Sequence, residues 1–427
     1  MVRASNTGHG LMEKRGLSLI WVLLLVAGCA LRTPPAIERA PVPAGPLPAL
    51  DAAEVAFLDR VTWGADARTA HELHALGRAA WLERQLKAPV ADDLPPEVQA
   101  RIAEMTISQR TTVDLAADMN ERQIGVFGQA DDMKRVEQRR ALNEQRQRLA
   151  REAATRHVLR ALHSPWQLRE HMTWFWLNHF NVFAPKAEVR VYLADYEDKA
   201  IRPNALGRFR DLLGATARHP AMLRYLDNAQ NQARALNENY ARELMELHTL
   251  GVDGGYTQAD VQELARVLTG IGLAYRPALR PMESMRADYV RDGIFEFAPS
   301  RHDYGKKVLL GEPIRSRGLA ELDEALDRLA RHPSTARFVS RKLAVFFVSD
   351  EPSAALVEQL ASVFQKTDGD IASVLKALFT SAEFEASGGQ KFKDPVHYVF
   401  SAARLAGAND QEQRRRHPGT RFDRQTY

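Results

Sequence analysis

Three stretches carry the side chains that chemistry would need. HMTWFWLNHF (171–180) sets His171 and His179 among aromatic rings, and NENYARELMELHTLGVDGGYTQADVQELARVLTG (237–270) places Glu243 and Glu246 one helical turn apart. RHDYGKK (301–307) joins His302 and Asp303 to basic residues in a stretch that reads as a loop. An imidazole titrates near neutral pH, and a carboxylate that orients it tunes it for proton transfer. His171, His179, Glu243, Glu246, His302 and Asp303 are therefore the candidate catalytic set. They would line a cleft between helices and act on a polar substrate, a glycan or cell-wall polymer, by acid–base or metal-assisted chemistry. The same residues have a structural alternative: histidines partnering neighbouring elements in an aromatic core, carboxylates ion-paired around Arg242, and RHDYGKK a plain turn.

A metal ion is an option with conditions. His179 lies eight residues beyond His171, about 12 Å along a helix axis, whereas two ligands of one zinc must both come within about 2.0–2.1 Å of it. A shared site would need the helix to break; otherwise other elements must complete two sites. There is no His-Glu-x-x-His pattern, and no glutamate has a histidine three positions later, so the familiar zinc and di-iron signatures are missing. Walker, Gly-x-Ser-x-Gly and Gly-x-Gly-x-x-Gly patterns are also missing, which removes the usual support for nucleotide hydrolysis, serine-esterase chemistry and dinucleotide binding.

The elements that must hold these residues read as helices. In a helix running from Trp166, with Ser164 as cap, His171, Phe175 and Asn178 share a face. In the second stretch Asn239, Arg242, Glu243 and Glu246 fall together, while Ala241, Leu244, Met245 and His248 form another face. That helix ends by Gly251, and Thr257 with Asp260 forms a capping box, which predicts an αα-hairpin. If the hairpin packs on the first motif, Glu243 or Glu246 could orient His171 or His179.

From Ala53 onward apolar residues recur at three and four, predicting an all-α, large multi-helix domain. Gly77 ends one helix before Trp81 packs in the next, and Trp63 is core. Met133 to Ser164 reads as a long helix with a narrow seam of Leu142, Leu149, Leu159 and Leu162 and an otherwise solvated, charged face. HPSTARFVSRKLAVFFVSD, from His332, reads as an N-capped amphipathic helix.

The chain has 427 residues, a formal charge of +4 and one cysteine, Cys29. No internal disulfide can form. Arginines alternate with glutamates along most of the chain, so no single-sign stripe tracks a phosphate backbone, and nucleic acid is not an expected partner. Lys14 and Arg15 precede the apolar run LSLIWVLLLVAG, too short to span a bilayer, and then Cys29. This resembles a bacterial lipoprotein signal, residues 1–28, with Cys29 acylated by palmitate-like chains. The absence of Asp after the cysteine (Ala30) suggests an outer-membrane lipoprotein. Residues 29–52 are proline-rich and read as a tether holding the body off the membrane.

FLDRVTWGAD, HMTWFWLNHF, HPAMLRYLDNAQN, the Asn237–Gly270 stretch, RHDYGKK and HPSTARFVSRKLAVFFV together resemble the bacterial domain-of-unknown-function 1800 family, over Val55 to Gly407. The resemblance implies a mostly helical, exported protein and carries over no established activity. Residues 53–407 are thus the expected domain. Residues 408–427, polar and arginine-rich, depart from the family pattern and read as an aberrant or truncated tail.

Overall fold

The amino-terminal helices begin where carboxylate side chains close their first turns. Asp51 accepts from the Glu54 amide at 2.7 Å and opens α1 (Ala52–Val61); Asp66 accepts from the Thr69 amide at 2.9 Å and opens α2 (Ala67–Leu76). Each satisfies an orphan N–H of its helix. Gly77, at φ +74°, ends α2 and starts α3 (Arg78–Leu86), in which Trp81 is fully buried. The computed structural model describes residues 48–275 and 287–416, with side chains through residue 407. Cys29, the signal stretch and most of the expected tether lie outside these residues.

Two short helices, α4 (Pro96–Ala103) and α5 (Thr106–Gln109), lead to α6 (Thr112–Gly128) and the long α7 (Asp132–His163). The expected seam is present, with Leu142, Leu149 and Leu159 buried. The expected solvated face holds along the first half, where Glu137, Arg139, Arg140 and Glu144 are exposed, but Arg146, Arg156 and Arg160 further along are buried. Their guanidinium groups meet carboxylates from other elements, which makes burial tolerable.

α8 (Gln167–His179) carries the first motif. It begins at Gln167, with Ser164 Oγ accepting from the Trp166 amide at 3.1 Å, so the serine closes the turn before the helix. α9 (Val189–Asp195) runs into a π-helical turn at Tyr196–Ile201 and a 3-10 turn at Arg202–Asn204. Such π turns are rare and often sit at functional positions.

Next come α10 (Phe209–Arg218) and α11 (Pro220–Tyr225), then the hairpin of α12 (Asn239–Glu246) and α13 (Gln258–Val267). The Thr257–Asp260 capping box is formed, and Gly251 turns at φ +85° with the Phe338 ring so close that a Cβ would stand 2.9 Å from it. Three short strands, β1 (Ile271–Leu273), β2 (Val290–Asp292) and β3 (Phe295–Phe297), form an antiparallel sheet ordered β1-β3-β2; β4 (Val308–Leu309) pairs with β5 (Glu312–Pro313). They are small additions to an all-α, multi-helix architecture.

α14 (Ala320–Arg331), α15 (Pro333–Phe347), α16 (Ala354–Lys366), α17 (Ile371–Phe379), α18 (Ala382–Ala386) and α19 (Pro395–Arg416) complete the body. α19 extends past Gly407, so the backbone of the expected tail begins as helix. His219 and His332 each accept a backbone N–H through Nδ1, from Ala221 at 3.2 Å and Ser334 at 3.1 Å, with proline at the first helical position of α11 and α15. A His-Pro pair thus caps two helices.

Candidate functional site

His171 lies in an aromatic cage drawn from three other parts of the chain. Its ring centroid is 4.8 Å from Trp63 after α1, 4.9 and 5.6 Å from Phe346 and Phe347 of α15, and 5.0 Å from His397 of α19. α19 is held there by Arg404, whose Nε donates to the Gly64 carbonyl at 2.8 Å and whose Nη2 pairs with Asp66 at 3.0 Å. Gly64 permits this approach, since a Cβ would stand 2.6 Å from Ser401. His171 is 3% exposed, and its Nδ1 has no hydrogen-bond partner. Burial, and then the neighbouring His397, push its pKa well below the usual imidazole value. It is neutral at physiological pH.

His179, at the other end of α8, does meet the hairpin. Nε2 donates to the His248 carbonyl at 3.0 Å, just beyond α12. The partner is backbone, not Glu243 or Glu246. Phe175 stacks on the ring, Phe180 stands edge-on at 4.5 Å, and only 5% of the residue is exposed. Burial, then Lys342 and His248, hold His179 well below its ordinary pKa, and burial with Lys342 takes His248 to about 3.

Glu243 and Glu246 share a half-buried face of α12. Burial and then Glu246 raise the Glu243 pKa, while Glu246 accepts from the Tyr256 hydroxyl at 3.4 Å. The expected bridging by Arg242 does not occur. Arg242 reaches Glu238, one turn back, at 3.2 Å and Gln258 of α13 at 2.7 Å. Glu238 and Glu246 both lie four residues from Arg242, and the guanidinium takes the side where Gln258 of α13 gives it a second acceptor.

His302 and Asp303 occupy a third environment. His302 Nδ1 donates to the Thr269 carbonyl at 2.8 Å, and Nε2 stands 3.4 Å from Glu321, which Lys307 pairs at 2.7 Å. The Arg266 fork grips Asp303 at 2.8 Å and, with the Gly305 amide, holds its carboxyl at about 2. RHDYGKK is a loop whose Lys307 is consumed internally. Among the described residues no hydrogen bond or ion pair joins His171, His179 or His302 to Glu243 or Glu246, and no group of three or more His, Cys, Asp or Glu could hold a metal ion.

A fourth group escaped sequence reasoning. Four buried arginines, Arg156 and Arg160 of α7, Arg169 of α8 and Arg202, converge with Glu170, Glu197, Asp198 and Asp92. Arg202 clasps Glu170 through Nε at 2.9 Å and Nη2 at 2.7 Å, and Arg169 reaches the same carboxylate at 3.1 Å. Arg160 contacts Glu197 at 3.3 Å, Asp198 at 2.5 Å and Asp92 at 2.9 Å; His157 Nδ1 lies 3.1 Å from Glu197. Burial pushes the Glu197 carboxyl up, but His157, Arg160 and Arg156 outweigh it and hold it at about 2. Glu170 stands immediately before the opening motif and beside Arg169, yet Arg202 and the rest of the centre lie far away in sequence, so only the run of arginines on α7 hinted at them.

The architecture defines a predominantly helical protein built around a buried ion centre and sealed histidines. The family model described as "Protein of unknown function (DUF1800)" matches residues 56–423, and the chain belongs to that family. Comparison with curated proteins and with solved structures finds no match.

Proposed function

We propose that this chain is an exported, lipid-anchored cell-envelope protein that works by binding or scaffolding rather than by catalysis. The address rests on the signal-like run ending at Cys29 and the proline-rich stretch after it, and no helix among the described residues is long and apolar enough to cross a membrane. The observation that carries the role is the dispersal of the candidate set. His171, His179 and His302 are each sealed in a different packed environment, and none touches the candidate carboxylates of α12. A general base must come within about 3 Å of the proton it takes. The envelope partner is a polymer or another protein.

One observation favours a second reading, an enzyme using Glu243 and Glu246. They are half-buried, adjacent, and Glu243 has the raised pKa an acid catalyst needs. Co-sedimentation of the full-length chain with purified peptidoglycan or envelope polysaccharide, followed by analysis of released fragments, separates the two. Binding without fragments supports the scaffold. Fragments that disappear with Glu243→Gln or Glu246→Gln establish the enzyme and overturn it.

A further inference from the structure

The ion centre is assembled unevenly. Glu170 stands on α8, and Glu197 and Asp198 stand on the π-helical turn. The fourth carboxylate, Asp92, comes from the loop between α3 and α4, where Pro89, Val90, Ala91 and Asp93 are exposed. This single loop side chain is gripped by three arginines. Arg160 donates through Nε at 3.1 Å and Nη2 at 2.9 Å to Oδ2; Arg202 pairs with Oδ1, and Arg169 stands 3.7 Å from it. Arg169 also donates to the carbonyls of Pro89 and Ala91. Without Asp92 the centre has four guanidinium groups and three carboxylates, so it lacks one negative charge.

Asp92 also reaches solvent, as does Asp198 with 31% of its side chain exposed. The Asp92 side chain keeps 26% of its surface exposed, while those of Arg160, Arg169 and Arg202 keep 7%, 3% and 6%. The guanidinium fork matches the geometry of carboxylate and phosphate oxygens, and three converging arginines select an oxyanion above other ligands. The other acids of the socket sit on α8 and on the π-helical turn, within regular helical backbone, whereas the plug sits on a short exposed loop.

We propose that Asp92 plugs an oxyanion-binding socket formed by Arg160, Arg169 and Arg202. A phosphate or carboxylate borne by an external ligand displaces the Asp92 carboxylate and frees the loop. The ligand then restores the charge balance that Asp92 provides in its absence. A tethered carboxylate competes at an effective concentration on the order of millimolar or more, so the unmodified chain binds such anions weakly, and removal of the plug reveals the site.

The test is isothermal titration of the full-length chain, of Asp92→Ala and of Asp93→Ala, with inorganic phosphate and separately with glucuronate at constant ionic strength. Asp92→Ala takes up one equivalent at least tenfold more tightly than the unmodified chain, and Asp93→Ala behaves like the unmodified chain. Tighter phosphate binding assigns a phosphate-bearing ligand; tighter glucuronate binding assigns a carboxylate-bearing one. Saturable uptake of neither anion by folded Asp92→Ala overturns the proposal. Should that variant not fold, amide exchange of the unmodified chain decides. Saturating phosphate or glucuronate speeds exchange at Val90 to Asp93 at least tenfold if the plug is displaced, and unchanged exchange with both anions rejects it.

Discussion

The arginine–carboxylate centre and the His171 cage solve the same problem, the burial of polar groups, in opposite ways. In the first, every charge is kept and opposed: Glu170 is almost fully buried, yet Arg202 and Arg169 keep its pKa below the ordinary carboxylate value despite the desolvation that burial imposes. In the second, charge is discarded, and His171 and His397 sit among Trp63, Phe346 and Phe400 with lowered pKa values. The difference teaches which groups tolerate loss. A buried charge stripped of its partner is costly, whereas a neutral ring can be replaced by another ring of similar shape.

The largest expected effect follows directly. Glu170→Ala leaves Arg169 and Arg202 buried without their carboxylate and removes about 3–5 kcal/mol in urea unfolding. His171→Phe, by contrast, loses no more than about 2 kcal/mol at pH 7, because a ring of similar shape fills the same cage. Equal losses in the two variants would erase the distinction between the regions.

Acid sharpens the contrast. His171, His179 and His248 have folded pKa values below the unfolded value near 6.5. The unfolded chain therefore binds more protons as pH drops below 6.5, and stability declines toward pH 4.5 by about 1.4 kcal/mol per pH unit for each such histidine. Glu197, depressed to about 2, contributes stability that is whole above the unfolded carboxylate value and is lost only as pH falls from there through about 2. The ion centre thus fails later than the cage. Urea midpoints across pH should show both windows, with His171→Phe flattening the upper one alone.

Smaller changes report on the hairpin. Thr257→Ala removes the cap of α13 and about 1 kcal/mol of stability in thermal unfolding. Glu243→Gln relieves the repulsion from Glu246 and raises stability at pH 7 by a few tenths of a kcal/mol, a gain that shrinks in acid as Glu243 protonates. Loss of stability instead would mean that the charged form of Glu243 has a partner.

What was legible in the sequence was local. The Thr257–Asp260 capping box, the break at Gly77 ahead of Trp81, the cap at His332 and the long helix ending at His163 depend on residues within a turn of one another, and all are present. The site was legible only in its residue types. His171 draws its surroundings from α15 and α19 and from the turn after α1, contacts that no periodicity on α8 encodes. Arg156 and Arg160 look like solvated helix residues until Glu197, Asp198 and Asp92 arrive from later and earlier segments. Helical spacing gives Arg242 two glutamates one turn away, Glu238 and Glu246, and its side chain takes Glu238 beside Gln258, which arrives from α13.

The central claim is that the imidazoles of α8 are sealed and uncharged, and thus serve the fold rather than a reaction. A two-dimensional nitrogen–proton NMR spectrum of the chain labelled with nitrogen-15 at histidine, followed from pH 7.5 to 5.0, tests it most directly. His171 and His179 are expected to stay neutral throughout, with His179 protonated on Nε2 and its Nδ1 bare. Titration of either ring between pH 6 and 7, with rapid proton exchange with water, would contradict it.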